Sequence, residues 1–190
     1  MIESLSRRAL MSAPALLALA RGKDATAQQA GGSRFLVAYF SRSGNTRVIA
    51  GAVQRALGAD LFEIRPAQQY PEDYEQTVEQ ARRERDRGDE PALQAIVPAI
   101  ASYDSVFLGF PIWGETAAPI IRSFLRSHDL AGKTLRPFIT HGGYGLGNSL
   151  TVLADHAPLA KIEPPFSMEA DQERRTLNQI TGWLGTIGLP

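Results

Sequence analysis

Short apolar runs alternate with longer amphipathic stretches along the chain from residue 34 onward. The first run, Phe35 to Phe40, is continuously apolar, which is typical of a strand buried on both faces of a parallel sheet. Apolar residues then recur at helical spacing from Thr46 to Leu57, and Gly58 stands where a helix would end. A second run, Leu61-Phe62-Glu63-Ile64, follows. These segments predict one β-α-β unit.

The alternation continues to the end of the chain. Further strands are predicted at Ser105 to Gly109 and Leu135 to Thr140, and further helices at Tyr74 to Arg87, Pro119 to Ser127 and Ser149 to His156. A last helix is indicated by the apolar stripe Leu177, Ile180 and Leu184, with Trp183 beside it.

The helix at 74–87 is very polar, so we expect it to be the most exposed helix. Its apolar contacts should be limited to Tyr74, Val78 and Ala81. Its charged run from Arg82 to Arg87 is typical of a solvated helix face, with docking to a partner as the alternative.

The fifth strand has the weakest signal. Lys161-Ile162 and Phe166 to Met168 are the candidates, and Pro164-Pro165 interrupts them. Alternating strands and helices predict an α/β fold of three layers, doubly wound, with a parallel sheet between helices. Because ligands bind beyond the carboxyl ends of such strands, the loops after Phe40, Gly109 and Thr140 are the candidate site.

The composition narrows the classes of function. The chain has 190 residues, which suits one domain, and no cysteine, which excludes disulfides, thiol nucleophiles and cysteine-held iron–sulfur clusters. Twenty basic and twenty acidic side chains balance, so nucleic acid is not an expected partner. His128, His141 and His156 lack the spacing of metal ligands, so no metal site is predicted.

No catalytic residue is predicted either. Ser149, Asp155 and His156 are the residue types of a nucleophilic triad. Asp155 and His156, however, are consecutive on one predicted helix and do not face each other.

The first thirty residues differ in composition from the rest. Arg7 and Arg8 are followed by a stretch without charge, residues 9–20, which is too short for a membrane span but suits the apolar region of a secretory signal. The sequence Ala25-Thr26-Ala27 suits the cleavage site, and the paired arginines resemble a twin-arginine signal. We therefore expect residues 1–30 to be a signal peptide and the protein to be periplasmic or otherwise exported, without a stable membrane anchor after processing. The alternative is a disordered N-terminal extension on a cytoplasmic protein.

The loop after the first strand leads directly into a helix. It reads Ser41-Arg42-Ser43-Gly44-Asn45-Thr46, and hydroxyl and amide donors at a helix start suit a phosphate. The lysine of a Walker loop is missing, so a phosphate monoester fits better than a nucleotide triphosphate. An ordinary capped helix start is the alternative.

Aromatic residues stand in the other two loops. Trp113 lies in Phe110-Pro111-Ile112-Trp113-Gly114-Glu115, where a flat ligand ring could stack on it, and Tyr144 lies in the glycine-rich loop after the fourth strand. Either residue alone could be a surface aromatic. Two aromatics on adjacent ligand-side loops favour a binding site.

These three loops, in this order after three strands, resemble those of the flavodoxin family over about residues 34–187. The resemblance implies a five-stranded parallel sheet in the order 2-1-3-4-5 that binds one FMN noncovalently. Arg42 takes the variable position of the phosphate loop, and Tyr144 falls near the outer stacking aromatic. The residues implied to bind FMN are Ser41, Arg42, Ser43, Gly44, Asn45, Thr46, Pro111, Ile112, Trp113, Gly114, Thr140, Gly142, Gly143 and Tyr144.

The resemblance also implies an electron-transfer protein of the short-chain type, because a long insertion in the last strand has no room here. Typical flavodoxins are strongly acidic around the flavin edge, whereas this chain is nearly neutral and has Arg42 and Arg47 near the expected site. The family's redox partners therefore do not carry over. Two alternatives stay open: an FMN-dependent NAD(P)H quinone or flavin reductase, and a flavin-free binding module.

Overall fold

Strands and helices alternate along the chain as the hydrophobic pattern predicts. The computed structural model describes residues 35–169 and 173–188, with the side chains of the last helix described from residue 179, so the predicted signal peptide lies outside the described residues. The strands are β1 Phe35–Tyr39, β2 Asp60–Glu63, β3 Ser105–Trp113, β4 Thr116–Ala117, β5 Thr134–His141, β6 Lys161–Ile162 and β7 Phe166–Glu169. The helices are α1 Asn45–Leu57, α2 Tyr74–Arg87, α3 Ile120–Arg126, α4 Ser149–His156 and α5 Glu173–Thr186.

The sheet has the predicted strand order. Hydrogen bonding gives β2-β1-β3-β5-β6, all parallel, and β7 also pairs with β5 in parallel. The segments β6 and β7 are therefore two halves of the fifth strand, and Pro164-Pro165 lies in the gap between them. Proline cannot donate to the ladder, which accounts for the interruption.

Alternating side chains of β1 enter two separate hydrophobic clusters. Leu36, Ala38 and, directly after the strand, Phe40 pack in one with residues of α3 and α4. Val37 and Tyr39 pack in the other with residues of α1 and α5. Successive side chains of a strand point to opposite faces, so helices cover both faces of the sheet. The fold is a three-layer α/β fold.

The third strand is longer than predicted. It continues past Gly109 to Trp113 and turns back into the short antiparallel strand β4, with Trp113 paired to Thr116. The prediction that Phe110 to Trp113 form a loop is therefore wrong. The register with β5 extends from Ser105 to Pro111, so the neighbouring strand keeps this stretch extended.

Helix α2 is largely exposed, as predicted, and buries only Thr77 and Ala81. Tyr74 and Val78, for which apolar contacts are also predicted, are 66% and 44% exposed. The hydroxyl of Thr77 donates to the carbonyl of Pro71 at 2.7 Å, so the helix is anchored on the side that carries its two buried residues. No helix within the described residues is long and apolar enough to cross a bilayer.

Candidate functional site

A cavity of about 420 Å³ lies at the carboxyl ends of β1, β3 and β5, where the sequence places the candidate loops. Its volume is within the range of small-molecule and cofactor sites, about 300 to 1,000 Å³. Ten of its lining residues come from the three loops and the adjoining strand ends: Arg42, Ser43, Asn45, Pro111, Ile112, Trp113, Gly114, Thr140, His141 and Gly142. The other six come from α2: Tyr74, Thr77, Val78, Ala81, Arg82 and Arg85.

The start of α1 forms one end of the cavity. Gly44 precedes the helix with φ of +98°, a left-handed conformation that glycine adopts without strain, and its N–H donates to the Ser41 hydroxyl at 3.1 Å. No side chain caps α1 and its first turn has no acidic residue. The first N–H groups of a helix have no intrahelical acceptor, so this end, beside Ser43 and Asn45, is open to an anion.

Thr46 and Thr140 form a buried pair behind this end. Their hydroxyl oxygens are 2.9 Å apart, and each residue is at most 3% exposed. Thr46 does not line the cavity. Its hydroxyl joins α1 to β5 and thereby fixes the position of the helix start relative to the sheet.

Trp113 forms the apolar wall together with Ile112. Its ring packs nearly perpendicular to those of Phe40 and Tyr70, with ring centres 5.2 Å and 4.9 Å apart. The Tyr70 hydroxyl in turn donates to Glu84 at 2.8 Å, and burial together with this bond raises the pKa of Tyr70 far above its usual value. Edge-to-face packing of this kind holds the indole in place.

The turn between β3 and β4 is fixed from two sides. Gly114 and Glu115 have φ of +58° and +64°, as in the two-residue turns that match the twist of a hairpin. Arg85 of α2 donates to the carbonyl oxygen of Gly114 at 3.2 Å. The backbone N–H of Asn148, just before α4, donates to the carbonyl oxygen of Glu115 at 3.0 Å.

The lining is cationic. It includes Arg42, Arg82 and Arg85, and no carboxylate is among the described residues that line the cavity. Arg42 donates to the backbone oxygen of Glu72 at 2.8 Å and lies over the Tyr74 ring, 5.8 Å from its centre.

Arg47, expected near the site, is turned away to Glu63 at 2.7 Å and does not line the cavity. Burial alone would raise the pKa of Glu63, but its hydrogen bonds to Arg65 and Arg47 outweigh burial and lower it. The charge of Arg47 is thus matched by a nearby carboxylate.

A family model of flavodoxins matches residues 34–187. The chain belongs to the flavodoxin family.

Solved structures agree with this membership. A provisionally named flavoprotein from Bacteroides eggerthii DSM 20697 is 36% identical, with a TM-score of 0.70 over 82% of this chain and 98% of that one. Another, from Bacteroides uniformis ATCC 8492, is 31% identical, with a TM-score of 0.69 over 79% and 99%. A flavoprotein from Lactobacillus acidophilus NCFM, crystallised with FMN, is 19% identical, with a TM-score of 0.63 over 77% and 99%, and shows the same fold. No protein with a curated description matches the chain.

Five of the predicted flavodoxin site residues do not line the cavity: Ser41, Gly44, Thr46, Gly143 and Tyr144. Ser41, Gly44 and Thr46 support the start of α1 from behind, as described above. The N–H of Gly143 donates to Nδ1 of His141 at 3.1 Å, which orients the histidine ring. Tyr144 is 86% exposed, so an outer stacking role for it stays a prediction.

Sequence reasoning missed the contribution of α2 to this flavodoxin-family cavity. Its lining residues recur every three or four positions, at 74, 77/78, 81/82 and 85, so they share one face of the helix. That spacing is visible in the sequence, but the mixture of aromatic, apolar and arginine side chains is also typical of a solvated face.

Proposed function

We propose that the protein binds one FMN in this cavity and transfers electrons through it. The observation that carries the proposal is the lining itself. Donors beside the open start of α1 stand at one end, and Trp113 with Ile112 forms an apolar wall further along. This donor set fits a ligand that has a phosphate at one end and a flat aromatic ring at the other.

Different residues would bind the phosphate and the ring of FMN. Ser43, Asn45 and the N–H groups of the first turn of α1 would hold the phosphate, and the Thr46–Thr140 pair keeps that turn in place. Trp113, supported by Tyr70, would contact the ring and exclude water from it. When bound, FMN supplies the reversible uptake of one or two electrons.

The test is the absorbance of the purified protein. We expect flavin bands at one FMN per chain, either as isolated or after loading with FMN and desalting. A protein that retains no flavin after loading would contradict the proposal and favour a flavin-free binding module. The flavoprotein from Bacteroides eggerthii, at 36% identity, supports the first outcome.

A reductase is the second candidate, and the cationic wall of α2 favours it. Arg82 and Arg85 line the cavity, whereas flavodoxins that act as carriers are typically acidic around the flavin edge. A positive site attracts an anionic reductant such as NAD(P)H. Mixing the FMN-loaded protein with NADPH in the absence of oxygen distinguishes a reductase from an electron carrier. Rapid loss of flavin absorbance indicates a reductase. No reaction indicates a carrier that needs a protein donor.

We further propose that the protein is exported by the twin-arginine route, which carries folded, cofactor-loaded proteins. Arg7, Arg8 and the uncharged stretch after them support this. Changing both arginines to lysine should leave the precursor in the cytoplasm with FMN bound. Export of that double variant at the normal rate would contradict the route.

A further inference from the structure

Two arginines of α2 face the cavity without a carboxylate beside them in its lining. Arg82 and Arg85 line it together with Val78 and Ala81 from the same helix face, whereas Arg83 and Arg87 do not. The chain as a whole carries no net charge, so this positive character is local.

The acidic partners of these arginines stand outside the cavity. Arg82 pairs with Glu79 at 3.0 Å and Arg85 with Asp86 at 2.9 Å, and both carboxylates are about half exposed. Neither lines the cavity. Because the arginines line the cavity and the carboxylates do not, each pair presents its positive end to the cavity, and the carboxylates cancel the field there only in part.

We propose that Arg82 and Arg85 stabilise the negative charge that reduction places on the flavin ring, and so make the second one-electron potential less negative than the apolar wall alone would. The inference rests on the proposed FMN site. Full reduction of FMN adds two electrons and one proton and leaves an anion, which nearby cations favour. The second potential then lies closer to the first, which suits a partner that exchanges electrons in pairs, such as a hydride donor or a quinone.

The experiment is a spectroscopic redox titration of the FMN-loaded protein and three double variants. Arg82→Gln with Arg85→Gln removes both cavity charges and keeps hydrogen-bonding side chains. Arg83→Gln with Arg87→Gln removes two charges from the same helix away from the cavity and is the matched control. Arg82→Lys with Arg85→Lys keeps the charge but loses the planar guanidinium that contacts Gly114.

We expect the first variant to bind fully reduced FMN, relative to one-electron-reduced FMN, roughly tenfold more weakly, which moves the second potential about 59 mV more negative. The control should keep the wild-type potential, and the lysine variant should lie close to the wild type. A glutamine variant that moves no more than the control would overturn the inference, and so would a lysine variant that moves as far as the glutamine variant. Failure of the FMN proposal is separately visible, because the wild-type protein would then retain no flavin to titrate.

Discussion

Gly147 is the position where one added methyl group should disturb the site most. It has φ of +53°, and a Cβ built on it would overlap the carbonyl carbon and oxygen of Glu115 in the turn beside Trp113. Gly145, two residues earlier, has φ of +74° and open space around the same position. Alanine at either glycine incurs left-handed backbone strain of about 1 to 2 kcal/mol, so the pair isolates the effect of the overlap.

The overlap adds two costs at Gly147. Forcing the Glu115 carbonyl aside resembles overpacking, about 1 to 3 kcal/mol, and breaks its 3.0 Å bond from Asn148, about 0.5 to 1.5 kcal/mol. Gly147→Ala should therefore lose about 2 to 4 kcal/mol more stability than Gly145→Ala in urea unfolding. Because the displaced turn carries Gly114, it should also weaken FMN binding. Equal losses in the two variants would refute this account of the turn.

Three other predictions concern single side chains. Burial lowers the pKa of His128, whose Nε2 accepts from the N–H of Val97 at 2.9 Å. The stability that the neutral ring contributes is therefore full above pH 6.5 and is lost as the pH falls below that value. Urea unfolding should give a lower free energy of unfolding at about pH 5 than at about pH 7.5, and His128→Gln should reduce this difference. Thr46→Ala leaves the Thr140 hydroxyl buried without a partner and should cost about 1 to 3 kcal/mol of unfolding free energy. Trp113→Ala should weaken FMN binding and make the second reduction potential less negative, because water then reaches the ring; unchanged affinity and potential in a redox titration would show that Trp113 does not contact the flavin.

The sheet could be predicted from the sequence because its signals are local. The continuous apolar run of β1 is buried on both faces, and the first part of β3 has the same kind of signal. Even the split fifth strand follows from the Pro164-Pro165 pair. The end of β3 could not be predicted, because proline and glycine near Trp113 indicate a loop, whereas the pairing with β4 and β5 that keeps it extended is long-range.

The site could be predicted only in part. The loop residues Ser43, Asn45 and Trp113 lie at the cavity, because strand ends of a parallel sheet meet at one edge. Whether a hydroxyl faces the cavity or a neighbouring element depends on tertiary contacts, and Thr46 faces Thr140 instead. The wall formed by α2 depends on how an exposed helix folds back over the sheet edge, which its own sequence does not determine.

The central claim is that the start of α1 holds the phosphate of FMN. Its most direct test is a titration of the apoprotein with FMN and with riboflavin, which lacks the phosphate, in the wild type and in the Ser43→Ala and Asn45→Ala double variant. Each lost hydrogen bond to a charged group costs about 1.5 to 3 kcal/mol. We therefore predict at least a tenfold loss of FMN affinity and little change for riboflavin. Equal losses for the two ligands, or wild-type protein that binds riboflavin as tightly as FMN, would contradict the account.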